Sequence, residues 1–281
     1  MELNRPSRTA QGAALHRAAH QLVDLPPVFA DPLALRIVGD EAAGELRAGR
    51  DRHVLTESAF LRAFIATRSR FTEDSLAQAY DRGVRQYAIL GAGLDTFAYE
   101  RARRFEGLAI FEIDHPATQG WKRARLGETA IAIPDSVTYA PLDFERDTLV
   151  NGLARADFDF DEPTFFAWLG VTPYLTREAI RTTLAFIASL EPGSGVVFDY
   201  AEPPKDPRRN ARFNAMAERV AAIGEPFKSL IEPADLVRDL DTLGFKHIED
   251  FDAEALNARY FQNRADGLKL AGRGHLMRAG V

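Results

Sequence analysis

The sequence contains no cysteine among its 281 residues, and this absence excludes several kinds of chemistry. Disulfide bonds, cysteine nucleophiles and zinc–thiolate sites all need this side chain. Long apolar runs are also missing, because the hydrophobic stretches have the length of strands and fall short of the ~20 residues of a membrane-spanning helix. The start of the chain lacks the basic-then-apolar order of a signal peptide. We therefore expect a soluble, cytoplasmic protein without a membrane partner.

An excess of positive charge is absent as well. The chain carries 35 Lys and Arg residues against 41 Asp and Glu residues, which gives a net charge of −6. Nucleic acids are bound mainly through basic side chains, so we expect no nucleic-acid partner. Hydrophobic residues make up 46% of the chain, which is enough for the core of one large α/β domain, with or without a cap.

The most informative segment that is present is QYAILGAGLDT, residues 86–96. Its short apolar run is typical of a strand buried in a parallel sheet. The run ends in two glycines, which let the chain turn sharply and let a ligand approach the backbone. A second apolar run, residues 108–114, ends in Asp114, whose carboxylate can accept hydrogen bonds from both hydroxyls of a ribose. Together the two runs predict a nucleoside-binding βαβ unit.

The identity of the nucleoside depends on the residue that follows the glycines. A dinucleotide fingerprint has a third Gly or Ala three residues after the second glycine, where this chain has Thr96. The difference favours a nucleoside without a diphosphate, of which S-adenosylmethionine is the commonest. An NAD(P)-dependent oxidoreductase on a similar fold remains an alternative, although the sequence has no obvious Tyr-x-x-x-Lys pair.

Six segments occur in an order that is typical of one known family. They are RSRF (68–71), ILGAGLDT (89–96), FEIDHP (111–116), QGWK (119–122), PLDF (141–144) and WLGVTPYL (168–175). In these segments the chain resembles the leucine carboxyl methyltransferase family, whose members are class I S-adenosylmethionine-dependent O-methyltransferases. The resemblance covers most of the chain and does not specify a substrate.

The resemblance implies a role for each matching residue at the first two strands. Arg68 would pair with the methionine carboxylate of S-adenosylmethionine, as a guanidinium binds a carboxylate through two hydrogen bonds. The turn Gly91, Ala92 and Gly93 would lie against the cofactor at the end of the first strand. Asp114 would hold the ribose.

The resemblance also implies which residues contact the adenine. At two positions the chain departs from the family pattern. Asp143 would accept a hydrogen bond from the adenine amino group, and Phe144 would pack on the ring. Asp95 would either contact the cofactor or cap the helix after the glycine turn. Many family members have Glu where this chain has Leu169, and Arg where it has Phe97. We therefore expect no acidic or basic contact from these two positions.

Strands and helices alternate from residue 86 onward. This alternation predicts an α/β fold with a doubly wound, Rossmann-like, seven-stranded and mostly parallel sheet. Residues 1–82 have a helical pattern and predict an N-terminal cap or lid, and residues 83–281 predict the core with a helical insertion near 203–232. The predicted strands are 84–90, 108–113, 137–142, 164–169, 195–200, 245–251 and 268–278.

Candidate groups on the substrate side follow the fourth and fifth strands. Tyr174 follows the fourth strand, and Tyr200 and Glu202 follow the fifth. Methyl transfer from a sulfonium depends mainly on positioning, and a carboxylate acceptor needs no general base at neutral pH. We therefore assign no catalytic residue, although His115 is a candidate base.

The predicted function is the transfer of a methyl group from S-adenosylmethionine to a carboxylate or hydroxyl of a small molecule. A non-catalytic protein that keeps a nucleoside pocket is the other alternative, because of the two departures. His16 and His20 have the i, i+4 spacing of metal ligands, but no acidic or cysteine ligand accompanies them, so we predict no metal site. The oligomeric state is left open.

Overall fold

A seven-stranded sheet forms the centre of the computed structural model, which describes residues 7–144, 146–204, 215, 217–218, 221–222, 224 and 226–281. The strands are β1 (Gln86–Leu90), β2 (Ala109–Asp114), β3 (Val137–Pro141), β4 (Thr164–Trp168), β5 (Gly195–Ala201), β6 (His247–Phe251) and β7 (Gly274–Gly280). Their order is β3-β2-β1-β4-β5-β7-β6, and β1 to β5 run parallel. β7 lies antiparallel between β5 and β6. The predicted mostly parallel sheet is confirmed.

Helices cover both faces of the sheet. Those of the described residues are α1 (Arg8–Val23), α2 (Ala34–Ile37), α3 (Asp40–Arg47), α4 (Ala59–Asp81), α5 (Pro116–Glu128), α6 (Leu149–Ala154), α7 (Arg177–Ala188), α8 (Pro233–Leu243) and α9 (Ala253–Tyr260). None of these helices has the length and apolar character needed to cross a membrane. Because β1 and β4 are buried at every residue, each is apolar after its first residue, Gln86 or Thr164, and neither alternates between apolar and polar residues.

Two hydrophobic cores lie on opposite faces of the sheet. One joins α1 and α4 to the sheet through residues such as Ala18, Phe71 and Ile89. The other joins α7 and α8 to the opposite face through residues such as Leu184 and Leu240. Helices on both faces of a parallel sheet make the doubly wound arrangement that the alternation predicted. The N-terminal helices therefore share their core with the sheet.

Buried charged groups hold the N-terminal helices together. Arg62 on α4 donates from Nε and Nη2 to Asp24, at 2.6 and 2.8 Å, and from Nη1 to the carbonyls of Val54 and Leu55. His20 on α1 contacts the same carboxylate through Nδ1 at 2.8 Å. Each buried charge is paired and hydrogen-bonded, as the low-dielectric interior demands.

Some predicted boundaries are wrong. Residues 268–273 are not strand, because the backbone of Leu270 is hydrogen-bonded to the side chain of Asn257 on α9 and not to a neighbouring strand. Within the segment 1–82 that is predicted to be helical, α4 begins at Ala59, after a π-helical turn over His53–Glu57. The helical insertion near 203–232 falls largely outside the described residues, and the domain division at residue 82 stays a prediction.

Candidate functional site

One large cavity of about 910 Å³ opens at the carboxyl ends of the central strands. Its walls come from the segments that follow β1, β2, β3, β4 and β5, and from helices α1 and α4. In doubly wound folds the ligand binds at this edge, where the strand order reverses beside the first strand. The volume is near the upper end of the roughly 300–1,000 Å³ found for small-molecule sites. It therefore suits two ligands, such as a cofactor and an acceptor.

The glycine turn after β1 forms the floor of this cavity. Gly91 and Gly93 have φ values of +69° and +47°, which residues other than glycine rarely adopt. The N–H groups of Gly91 and Ala92 both donate to the carbonyl of Ile113 on β2, which fixes the turn against that strand. A Cβ at Gly93 would lie 3.0 Å from the Cβ of Ala10, so α1 covers the turn closely.

Asp114 lies at the end of β2 and faces the glycine turn. Its Oδ2 accepts the N–H of Gly93 at 2.5 Å, and its Oδ1 accepts the N–H of His115 at 2.6 Å. Burial raises the pKa of Asp114, and the two backbone donors oppose that effect. Each carboxylate oxygen keeps a free lone pair, so the side chain is held in position to accept two ligand hydroxyls.

The segment after β3 places Asp143 and Phe144 on the cavity wall, and their contact with the adenine stays a prediction. Asp143 Oδ2 lies 3.9 Å from His115 Nε2. The Nδ1 of His115 accepts the N–H of Ala117 and so caps α5. A neutral imidazole that accepts at Nδ1 carries its proton on Nε2, so His115 has no free lone pair and is a poor candidate base.

Arg68 on α4 reaches the cavity beside an acid that the sequence analysis missed. Its Nη1 lies 2.8 Å from Oδ2 of Asp199 on β5, and the other oxygen of Asp199 accepts the N–H of Gly170 at 2.5 Å. Both charged side chains are largely buried and line the cavity. A guanidinium has five N–H donors, so Arg68 can bind a second carboxylate while Asp199 holds it in place.

The remaining residues of the glycine segment divide between the cavity and the core. Asp95 lines the cavity, and its Oδ1 also accepts the N–H of Phe97 at 2.7 Å. Its contact with the cofactor stays a prediction. Phe97 is buried and packs on Tyr87, and it is not among the residues that line the cavity. Leu169 lines the cavity and offers no charge, and Asp199 is the acid that pairs with Arg68.

The predicted substrate-side residues do not all reach the cavity. Tyr174 and Tyr200 line it, whereas Glu202 is not among its lining residues in the described part of the chain. The Tyr200 hydroxyl donates to Asp250 at 2.9 Å, and its ring packs on His275. Burial and the nearby Asp250 raise the pKa of Tyr200, so the hydroxyl stays protonated and acts as a structural group.

The i, i+4 histidines of α1 do not converge on a common point. His20 uses Nδ1 for Asp24 and accepts the N–H groups of Val28 and Phe29 at Nε2. His16 contacts the carbonyl of Gly12 through Nδ1. Within the described ranges, no group of three or more His, Asp or Glu residues could hold a metal ion.

Sequence reasoning missed Asp199 and the role of α1 in covering the glycine turn. Asp199 lies inside β5 between Phe198 and Tyr200. An acid within a buried strand needs a polar partner, and this position could have identified Asp199 as a candidate site residue. No feature of the sequence indicated that Ala10 approaches Gly93 closely, because an alanine on a helix does not indicate what it packs against.

Comparison with known proteins leads to the family that the motifs suggested. A family model described as leucine carboxyl methyltransferase matches residues 10–188. YktD of Bacillus subtilis (strain 168), which is named provisionally as an S-adenosyl-L-methionine-dependent methyltransferase, is 30% identical over 95% of each chain. A Mycobacterium sp. (strain KMS) protein with the same provisional description is 35% identical over 65% of this chain and 61% of its own length.

A solved structure adds evidence on the fold. A protein of Thermobifida fusca, named provisionally as a methyltransferase, superposes with a TM-score of 0.59 over 99% of this chain and 96% of its own. At 17% identity this similarity shows a shared fold and nothing more. The family model, by contrast, covers more than half of the chain, and the Bacillus relative spans nearly all of it. The chain therefore belongs to the leucine carboxyl methyltransferase family.

Proposed function

We propose that this protein transfers a methyl group to an oxygen of a small molecule, either a carboxylate or a hydroxyl. The cofactor is S-adenosylmethionine, in agreement with the family and with the description of its relatives. A small-molecule acceptor, the absence of a nucleic-acid partner and a cytoplasmic location stay predictions of the sequence. The observation that carries the proposal is the convergence of Asp114 and the Arg68–Asp199 pair on one cavity.

The polar groups of the cavity match the chemistry of the cofactor. The two free lone pairs of Asp114 suit the ribose hydroxyls, and Asp143 with Phe144 suits the adenine. The amino-acid end of the cofactor is a zwitterion, and a paired cation and anion match it. Arg68 would take its carboxylate and Asp199 its ammonium group.

When bound, S-adenosylmethionine would supply its methyl group to an oxygen nucleophile, which would form a bond to the methyl carbon in line with the carbon–sulfur bond that breaks, and the sulfur would keep that electron pair. The protein contributes mainly by holding both reactants in position, which can supply several kcal/mol of the barrier. The backbone-bonded Asp114 and the buried Arg68–Asp199 pair give that rigidity. Helices α1 and α4, which share a hydrophobic core with the sheet, form one side of the cavity.

Calorimetric titration with S-adenosylmethionine, S-adenosylhomocysteine, NAD and NADP tests the proposal. We expect binding of the first two alone, followed by methyl transfer to members of an acceptor panel. Binding of NAD or NADP instead would favour the oxidoreductase. Binding of S-adenosylmethionine without turnover on any oxygen acceptor would favour the non-catalytic alternative.

Replacing Asp199 with alanine should weaken S-adenosylmethionine binding by about tenfold or more, since a charge-assisted hydrogen bond contributes about 1.5–3 kcal/mol. The change removes the partner of the cofactor ammonium and frees Arg68 to move. Calorimetry measures the Kd, and Asp239→Ala, which removes the acid of an exposed Arg177–Asp239 pair, is the control. An unchanged Kd in Asp199→Ala would show that this pair does not hold the cofactor.

A further inference from the structure

The threonine that stands in place of a third glycine makes a contact that the cofactor assignment does not use. Thr96 is fully buried, and it is not among the cavity-lining residues in the described part of the chain. Its hydroxyl donates to Oδ2 of Asp31 at 2.7 Å. Asp31 lies 65 positions earlier, in the loop before α2. The side chain of Thr96 therefore connects the glycine segment to the N-terminal helices.

Arg17 on α1 contacts both the carboxylate of Asp31 and the backbone of the glycine segment. Its Nε lies 2.7 Å from the same Oδ2 of Asp31, and its Nη2 donates to the carbonyl of Leu94 at 2.5 Å. Arg17 and Asp31 are 6% and 3% exposed, so salt in the solvent screens their ion pair little. A planar guanidinium held by a buried carboxylate presents its remaining N–H donors in a fixed geometry.

These contacts form a ring around one residue that lines the cavity. Leu94 is held through its carbonyl, and Thr96 is held through its hydroxyl. The ion pair of Arg17 with Asp31 joins the two points. Asp95 lies between Leu94 and Thr96 and lines the cavity. We call Arg17, Asp31 and Thr96 the clamp, since together they fix both neighbours of Asp95.

The clamp and β2 hold different halves of the glycine segment. On the β2 side, the N–H of Gly93 donates to Asp114. The clamp contacts the following part, residues 94–96, to which Asp95 belongs. The Oδ1 of Asp95 accepts the N–H of Phe97 at 2.7 Å. A carboxylate has about four acceptor sites, so this bond leaves Asp95 able to accept from a ligand.

We propose that Arg17, Asp31 and Thr96 are positioning residues that set Asp95 for a hydrogen bond with S-adenosylmethionine. This inference rests on the proposed place of the cofactor in the cavity. Ordering a flexible group during binding costs free energy, and a group that is already held in its bound position avoids that cost. The clamp provides this restraint through the backbone on both sides of Asp95.

The proposal gives a reason for threonine at position 96. A Gly or Ala there, as in a dinucleotide fingerprint, would have no hydroxyl for Asp31. The Arg17–Asp31 pair would then hold Leu94 alone, and one neighbour of Asp95 would lose its restraint. Asp31 would keep its ion pairs with Arg17 and Arg101, so loss of the hydroxyl would leave no buried charge unpaired.

The first test separates the hydroxyl of Thr96 from its packing. Thr96→Val replaces the hydroxyl with a methyl group of similar size, whereas Thr96→Ser keeps the hydroxyl. By calorimetry, Thr96→Val should weaken S-adenosylhomocysteine binding at least about fivefold, the lower end of the range typical of coupling between sites. Thr96→Ser should keep a Kd close to that of the wild type. Equal losses in both variants, or no loss in Thr96→Val, would overturn the proposal.

Thr164→Val is the matched control for lost stability. Thr164 is also fully buried, and its hydroxyl is hydrogen-bonded to the side chain of Gln86 and the carbonyl of Glu162. It is the first residue of β4, at the opposite end of that strand from the cavity. The variant should unfold at a lower temperature and keep the wild-type Kd. A loss of affinity equal to that of Thr96→Val would overturn the proposal.

The second test determines whether the clamp acts through Asp95. Asp95→Asn keeps an oxygen for the N–H of Phe97 and removes the charge, so S-adenosylhomocysteine should bind at least about fivefold more weakly. The double variant Asp95→Asn/Thr96→Val should have a Kd within about twofold of that of Asp95→Asn, because interacting positions are not additive. Additive losses, or wild-type affinity in Asp95→Asn, would contradict the proposal.

Where Thr96→Val does not fold, amide hydrogen exchange of the wild-type protein decides. The N–H of Leu33 donates to Asp31 at 3.0 Å, and neither is a cavity-lining residue within the described ranges. By reciprocity, S-adenosylhomocysteine should slow its exchange. The N–H of Ala255, which donates to Asp252 at 2.8 Å, should exchange unchanged. Equal effects on both amides would overturn the proposal. Failure of the wild-type protein to bind S-adenosylhomocysteine would instead overturn the proposed function.

Discussion

Replacing Asp114 with alanine should raise the Kd for S-adenosylmethionine by about 100-fold or more. The carboxylate would accept two ribose hydroxyls, and each hydrogen bond to a charged group is worth about 1.5–3 kcal/mol. The change also removes the acceptors of the Gly93 and His115 N–H groups, so the glycine turn loses its support on β2. Calorimetric titration of the purified variant measures the effect.

Two further variants accompany this measurement, a conservative replacement of Asp114 and a control at an exposed acid. Asp114→Asn keeps one accepting oxygen and should bind the cofactor with intermediate affinity. Asp161→Ala removes an exposed loop acid and should leave the Kd unchanged. Wild-type affinity in Asp114→Ala would refute the assignment of Asp114 to the ribose. It would also refute the prediction that the end of the second strand binds a nucleoside.

Replacing Asp31 with alanine should destabilise the protein by about 3–5 kcal/mol, the usual cost of removing one partner of a buried ion pair. Asp31 is fully buried and lies 2.7 Å from Arg17 Nε and 2.8 Å from Arg101 Nη1. It also accepts the hydroxyl of Thr96 and the N–H of Leu33. The variant would leave two buried guanidinium groups without this carboxylate.

Denaturant unfolding measures this loss, with Asp135→Ala in an exposed loop as the control. Burial alone would raise the pKa of Asp31, but Arg17 and Arg101, together with the hydrogen bonds from Thr96 and Leu33, hold the pKa below its ordinary value of 3.8. A lowered carboxyl pKa contributes stability that is complete above the unfolded value and lost as the pH falls through the folded one. Wild-type stability should therefore decline below about pH 4, and the decline should be smaller in Asp31→Ala. Equal acid sensitivity of the two proteins would contradict this account.

Asp31 also shows where local sequence rules reach their limit. The dipeptide Asp31-Pro32 predicts a helix cap, and the carboxylate does accept a nearby N–H, from Leu33. The helix itself starts only at Ala34. The carboxylate instead serves Arg17, Thr96 and Arg101, which are remote in sequence. The partners of a buried charge come from the elements that the fold packs around it, and the adjacent residues in the sequence do not indicate which ones they are.

The sequence alone determined the α/β class, the order of its elements, the glycine turn and the acid at the end of the second strand. These features depend on local causes: apolar runs that need two covered faces, a positive φ that needs glycine, and a fixed spacing between strands. Because parallel strands present their carboxyl ends at one edge, Asp114 and Asp143 could be assigned to one cavity.

Tertiary structure alone decided which side chains share that cavity and which hydrogen bonds and ion pairs they form there. The pairing of Arg68 with Asp199 joins residues 131 positions apart, and only the packing of α4 on β5 brings them together. The commitment of the Tyr200 hydroxyl to Asp250 likewise depends on β6, which the sheet order places two strands away. Such contacts arise from the packing of distant elements, so no local pattern in the sequence encodes them.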